Sequence, residues 1–193
     1  MYAVLLHDFL DYYARITPQA TFSEFEGATL TYREAQARSF RIARGLRALG
    51  LRAGARAAFI AKNTADTLPF YLAAARCGVV TVPVNFRLAP AEWAYIIADA
   101  GAELVVADEE CTAGLDSILD ALPELRERLV LGRESRNWGS FDVWQHAHVE
   151  EPVLDVSLTE TSVLYQMYTS GTTGRPKGVD YMEIGRASCR ERV

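Results

Sequence analysis

The sequence is short of what a disulfide-built or metal-built domain needs. Its 193 residues include only three cysteines and three histidines. Cys77, Cys111 and Cys189 stand far apart and none belongs to a Cys-x-x-Cys pair, so the common zinc and dithiol motifs are absent. Such spacing fits free thiols in a reducing compartment. Positive charge is scarce too. Twenty Lys and Arg against 25 Asp and Glu leave a net charge of −5 and no basic excess to neutralise nucleic-acid phosphates. No apolar run approaches the roughly 20 residues of a membrane span. The first 16 residues are apolar but are interrupted by His7, Asp8, Asp11 and Arg15, and they lack the basic start and small-residue cleavage site of a signal peptide. A cytoplasmic protein with no nucleic-acid partner and no transmembrane segment is expected. The oligomeric state leaves no mark on the sequence, and there is no internal repeat or low-complexity tract.

What is present is an alternation of helix and strand patterns. Leu5, Leu6, Phe9, Leu10, Tyr12, Tyr13 and Ile16 recur at helical spacing before Thr17-Pro18. The polar face of this helix is acidic, which favours packing on the domain over lying on a membrane. Residues 20–26 and 28–31 read as a β-hairpin around Gly27. Thr31 and Glu34 form a capping box for a helix that runs to about Leu49 and stops at Gly50. There follow a strand at 56–61, a helix capped by Asn63 or Thr64 and ending near Cys77-Gly78, and a strand at 79–84. Next come a helix from Pro90 to about Ala100, a strand at 103–107, a helix near 113–122 and a strand at 128–131. Short connections and strands apolar on both faces predict an α/β fold, a largely parallel sheet flanked by helices. Residues 132–152 break the rhythm and read as a connecting excursion. His146 and His148, two apart, read there as solvated loop histidines rather than a metal pair. Asn85 and Arg87 follow an apolar strand. They read either as a contact near a substrate or nucleotide, or as a strand-end turn with Arg87 paired to an acid such as Glu92. The turn is the favoured reading.

The chemistry concentrates after a strand-like run at 162–168. Thr169, Ser170, Gly171, Thr172, Thr173, Gly174, Arg175, Pro176 and Lys177 follow without a break. Glycines let a backbone approach an anion closely and turn N–H groups toward it. The hydroxyls can donate to phosphate oxygens, and Lys177 is a mobile point charge. Arg175 reads equally as a second cation or as a solvent-facing side chain. The spacing does not fit Gly-x4-Gly-Lys-Ser/Thr, and Pro176 prevents a helix from starting cleanly at Lys177, so another strand is expected there. By composition alone, a flexible Ser/Thr/Gly linker stays open beside a polyphosphate loop.

The string from Tyr168 to Val179, Tyr-Thr-Ser-Gly-Thr-Thr-Gly-Arg-Pro-Lys-Gly-Val, resembles the phosphate loop of the adenylate-forming enzymes. These include acyl-CoA synthetases, aryl-CoA ligases, luciferases and peptide-synthetase adenylation domains. The stretches 30–34, 83–88 and 92–96 are similar to the fatty-acyl and aryl-CoA ligase branch, and the likeness runs over roughly residues 5 to 179. It implies part of the large N-terminal domain of such an enzyme. It also implies a small-molecule carboxylate that attacks the α-phosphate of ATP, with Mg2+ beside the nucleotide, and an acyl group passed to coenzyme A or another thiol. Thr169, Ser170, Gly171, Thr172, Thr173, Gly174 and Lys177 are then the ATP-phosphate contacts. Other catalytic groups of the family lie beyond Val179 in its members, so none is assigned here, and the carboxylic acid is not legible.

After Val179 the likeness stops. Residues 183–193 back-translate to a frame that resembles a common high-throughput sequencing adapter, and they show no helical or strand period. Residues 1–182 are therefore expected to be the N-terminal part of a synthetase domain, and 183–193 a non-native tail. A chain cut there is expected to be inactive alone and poorly soluble, because its sheet would keep an open edge. The alternative is a genuine short, non-catalytic module of the same fold that binds a nucleotide or a partner.

Overall fold

The computed structural model describes residues 5–135, 137–153, 157–169 and 175–183, and the backbone of 187–188. In chain order the elements are α1 (Leu6–Ile16), β1 (Thr21–Phe25), β2 (Ala28–Thr31), α2 (Tyr32–Ala48), β3 (Arg56–Ile60), α3 (Thr67–Cys77), β4 (Val80–Pro83) and α4 (Pro90–Ala100). They continue with β5 (Ala102–Asp108), α5 (Glu109–Asp116), β6 (Glu127–Leu131), β7 (Gly139–Ser140), α6 (Phe141–His146), β8 (Val163–Thr169), β9 (Lys177–Met182) and β10 (Ala187–Ser188).

One sheet carries the core, in the order β10-β9-β8-β4-β3-β5-β6-β7. Its pairs from β8 to β7 are parallel, and the β8–β9 and β9–β10 pairs are antiparallel. Side chains alternate along each strand and so feed two cores. Ala57 and Phe59 of β3 and Leu104 and Val106 of β5 pack with Ile42, Leu46, Phe70 and Phe141 from α2, α3 and α6. Ala58, Ile60, Val105 and Ala107 pack on the other face with Trp93, Ile96 and Ile97 of α4 and Cys111 and Leu115 of α5. The expected largely parallel sheet flanked by helices is the observed architecture. The β1–β2 hairpin and α1 sit outside it, where Leu10, Leu30, Ala35 and Leu72 form a smaller cluster. Helix α1 buries Leu10 and Ala14 and leaves Phe9, Tyr12, Tyr13 and Ile16 exposed.

Local chemistry explains most helix ends. Glu34 N donates to Thr31 Oγ1 and Thr31 N donates to Glu34 Oε2, closing both halves of the capping box of α2. Gly78 ends α3 in the left-handed region, with φ +70°. A Cβ there would stand 2.9 Å from Ala53 Cβ and 2.9 Å from Leu158 Cδ2. Gly78→Ala is therefore expected to lower stability by about 2 kcal/mol, combining left-handed strain with overpacking. The check is a urea midpoint that falls without a change in slope.

Several expectations need correction. The α3 helix starts at Thr67 rather than after Asn63 or Thr64, because Thr64 Oγ1 accepts from Asp66 N and the turn continues to Asp66. The α5 helix occupies Glu109–Asp116 rather than 113–122, with a separate 3-10 turn at Leu119–Ala121. Glu109 and Glu110 favour a start at this positive helix end, and Ser117 Oγ bonds to Gly114 O at the close. Residues 132–152 are not only an excursion, since they contain β7 and α6. Ser140 Oγ accepts from Val143 N, and Phe141 and Trp144, three apart, face the α2–α3 core. His146 is thus the last residue of α6, its Nδ1 2.8 Å from Asp142 O, and half-buried His148 packs edge-on to Trp144. The loop reading thus fails for His146, which ends a helix, while His148 follows it in a bend. Arg87 does not pair with Glu92. Glu92 accepts from Ala89 N at the start of α4, while the Arg87 guanidinium lies 5.3 Å from the Phe86 ring centroid. Asn85 does make the expected strand-end turn, accepting from Arg87 N. Finally, β10 is a short strand where the sequence has no strand period. Any extended backbone can satisfy the open N–H and C=O groups of β9, whatever its side chains.

Candidate functional site

The segment 169–177 closes the hairpin between β8 and β9. Its ends are set by register: Thr169 lies opposite Lys177 and Tyr168 opposite Gly178. Directly opposite side chains in an antiparallel pair share a face. Thr169 and Lys177 therefore project together, and both are exposed. Alternation sends Gln166, Tyr168 and Gly178 to the opposite face, toward α4. Because β8 runs parallel to β4, the mouth of the hairpin lies at the carboxyl ends of the parallel strands, where open α/β sheets take ligands. Of the sequence-derived candidates, the structure thus brings together Thr169 and Lys177. Ser170, Gly171, Thr172, Thr173 and Gly174 lie outside the described residues.

The face toward α4 is a chain of polar contacts. Arg56 Nε donates to Gln166 Oε1 at 3.0 Å, and Gln166 Nε2 donates to Tyr168 Oη at 3.4 Å. Tyr168 Oη donates to Asp99 Oδ2 at 2.6 Å. Burial first, and then this bond to a carboxylate, push the Tyr168 phenol well above its ordinary pKa, so it stays a donor. On the other limb of the hairpin, Tyr95 Oη donates to Pro176 O at 3.1 Å, and the Arg175 guanidinium lies 5.9 Å from the Tyr95 ring centroid. Arg175 is exposed. Gly178 has a packing role: a Cβ there would sit 2.4 Å from Gln166 Nε2 and 3.1 Å from Tyr168 Cζ.

Sequence reasoning gave no role to Tyr95, Asp99, Gln166 or Gly178. The available signal was the four-residue spacing of Tyr95 and Asp99, which puts both on one helix face. The two described cysteines are free and buried, with thiols pushed up to about 12 for Cys77 and about 11 for Cys111, chiefly by burial. They are poor nucleophiles. Among the described residues no group of three or more His, Cys, Asp or Glu could hold a metal ion. No helix among them is long and apolar enough to cross a membrane.

Known proteins supply an independent comparison. The pattern that defines AMP-binding enzymes matches residues 10–182. Feruloyl-CoA synthase of an Amycolatopsis species is 39% identical over 166 residues, covering 86% of this chain and 30% of that protein. The fatty acid–[acyl-carrier-protein] ligase ScoC of Streptomyces coeruleorubidus is 36% identical over 154 residues, covering 80% of this chain and 28% of its own length. The chain thus spans under a third of these relatives. Among solved structures, the inhibitor-bound N-terminal domain of FACL13 from Mycobacterium tuberculosis superposes with a TM-score of 0.80 at 27% identity, covering 93% of this chain and 44% of that one.

Proposed function

The chain belongs to the AMP-binding enzyme family, and from that premise we propose that it supplies the ATP-phosphate loop of an AMP-forming acid–thiol ligase. In that reaction a carboxylate attacks the α-phosphorus of ATP, the bond to the bridging oxygen breaks, and pyrophosphate leaves with its electron pair. The acyl-adenylate then gives its acyl group to a thiol and releases AMP. Curated relatives that act on feruloyl and fatty acyl groups support a fatty or aromatic acid as substrate. Their two acceptors, coenzyme A and acyl-carrier protein, are both candidate thiols.

The observation that carries the reading is the hairpin mouth. Its register projects the Thr169 hydroxyl and the Lys177 ammonium together into solvent. Charge on the β- and γ-phosphates grows as pyrophosphate departs. A fixed cation and hydroxyl at that place stabilise the departing group more than the bound nucleotide. Ser170, Gly171, Thr172, Thr173 and Gly174 complete the cradle in this proposal. Magnesium, when it arrives with the nucleotide, supplies further charge neutralisation.

The chain holds one part of a site whose carboxylate and adenine contacts belong to the rest of the ligase. It is therefore proposed to bind nucleotide without turning it over. The test is calorimetric titration of the 193-residue chain with Mg-ATP. Lys177→Ala is expected to weaken binding about tenfold or more, the range for losing a charged hydrogen-bond donor, without changing the melting temperature. Unchanged affinity in that variant, or no binding to the original chain, counts against the proposal. Carboxylate-dependent ATP–pyrophosphate exchange is expected only from a protein that carries this segment at the full length of its relatives.

A further inference from the structure

The β8–β9 hairpin is fastened at both limbs to one face of one helix. Tyr95 and Asp99 lie four residues apart on α4. Asp99 takes the Tyr168 hydroxyl, one residue before Thr169. Tyr95 gives its own hydroxyl to the Pro176 carbonyl, one residue before Lys177. The two bonds therefore grip the last position before the loop on the way out and on the way back. Tyr95 adds a second hold through its ring, which faces the Arg175 guanidinium.

Helix α4 is suited to act as the fixed member. Trp93, Ile96, Ile97 and Ala100 bury it against the sheet, and Trp93 Nε1 donates to Asn85 O at its start. Pro90 opens it, and Gly101 closes it in the left-handed conformation. The grip comes from behind. Gln166, Tyr168 and Gly178 face α4, whereas Thr169 and Lys177 project from the other face and stay open to solvent. Gly178 leaves room for this arrangement, since any side chain there would drive Gln166 and Tyr168 apart.

We infer that Tyr95 and Asp99 are positioning residues for Thr169 and Lys177, an α4 clamp that holds these two ends of the hairpin turn at a fixed separation before nucleotide arrives. The inference rests on the ligase reading above for its ligand and on the hairpin geometry for its mechanism. A Thr169–Lys177 pair held at its binding separation keeps most of the population competent, and releasing the hold lowers apparent affinity by the lost fraction.

Two variants test the clamp, and neither removes a core contact. Tyr95→Phe keeps the ring and deletes only the hydroxyl. Asp99→Ala removes an exposed acid from the last turn of α4, where its charge opposes the helix dipole, so the helix itself should not weaken. In the 193-residue chain, amide exchange at Lys177 and Gly178 is expected to quicken by about tenfold in each variant, and Mg-ATP affinity to fall by about five- to tenfold. Exchange at Val105 and Val106 in the sheet centre, and the urea midpoint, should hold constant. The clamp is overturned if the variants leave exchange at 177–178 unchanged. It is equally overturned if they quicken exchange across the whole sheet, or leave affinity intact while Lys177→Ala abolishes it. If the loop amides respond but even the original chain fails to bind Mg-ATP, the clamp stands and the nucleotide reading falls.

Discussion

Phe70→Ala is expected to destabilise the domain by about 4 kcal/mol, the middle of the range for deleting a buried aromatic side chain. Phe70 is fully buried where three elements meet. Its ring centroid lies 5.0 Å from that of Phe59 on β3, 6.1 Å from that of Phe141 on α6 and 6.4 Å from that of its neighbour Tyr71. Small backbones crowd around it: Ala73 and Ala74 of α3 and Ala43 of α2 cannot swing a longer side chain into the void. The cavity should therefore stay open, and its cost adds to the lost transfer energy. In a domain of this size the loss corresponds to about 10 °C in melting temperature. Phe70→Leu retains most of the volume and should cost less than half as much. Urea titrations of the two variants, with unchanged slopes, are the measurement. Equal losses in both, or a loss below about 1 kcal/mol in Phe70→Ala, would contradict the packing of α3 and α6 on one sheet face.

Asp11→Ala should be almost as damaging, for an electrostatic reason. Arg76 projects from α3 between α1 and α2, with only 6% of its side chain exposed. Its Nη1 donates to Asp11 Oδ2 at 2.8 Å, its Nη2 donates to Asp11 Oδ1, and its Nε donates to Ser39 Oγ at 2.9 Å. The guanidinium also lies 4.4 Å from the Phe40 ring centroid, and Gln36 Nε2 donates to Asp11 Oδ1. Removing Asp11 strands a buried cation, which costs about 3 kcal/mol. The same network gives α1 an acid response. Burial alone would raise the Asp11 pKa, but the hydrogen bonds from Arg76 and Gln36 outweigh it and hold the carboxyl below its usual value. Its contribution is present above the unfolded value of 3.8 and is lost as pH falls through the lower folded value. His7 is also shifted down, first by burial and then by the Arg76 charge. The unfolded chain therefore takes up a proton near 6.5 that folded His7 refuses, and stability declines as pH falls below that point. The opening free energy of α1, taken from amide exchange after correction for the intrinsic pH dependence of exchange, should fall in two acid steps between pH 7.5 and 3. His7→Gln should remove the upper step and Asp11→Ala the lower one.

The parts legible in the sequence are those in which neighbours decide the outcome. The Thr31–Glu34 box, the stop at Gly78 and the Pro90 start are local, and so is the strand after Pro176. Elsewhere a competing bond, local or tertiary, overrides the simple pattern. Asn63 and Thr64 look like caps, but the helix waits for Asp66. The pair Phe141 and Trp144 gives too short a period to announce α6 inside a polar stretch. Thr169 and Lys177 were legible as candidates because one unbroken string carries them, and register places them opposite each other. Tyr95 and Asp99 were not, because their partners, Pro176 and Tyr168, lie 81 and 69 residues away. No spacing within α4 encodes such a partnership.

The join between β4 and β8 is narrow. One register pair, Thr81 with Tyr165, links them, whereas β3 and β5 are matched along their length. The β8–β9 hairpin is therefore expected to open more readily than the β3–β5 centre of the sheet, once its bonds to α4 are released. All three tryptophans, Trp93, Trp138 and Trp144, belong to the remainder of the fold, and the hairpin carries Tyr165, Tyr168 and Tyr181. Indole fluorescence therefore reports on that remainder and not on the hairpin, whereas six of the nine tyrosines lie outside the hairpin, so its own amides are the probe of its opening. A ligand held at the hairpin mouth is expected to slow exchange of the hairpin amides and to leave the transition seen by the tryptophans where it was.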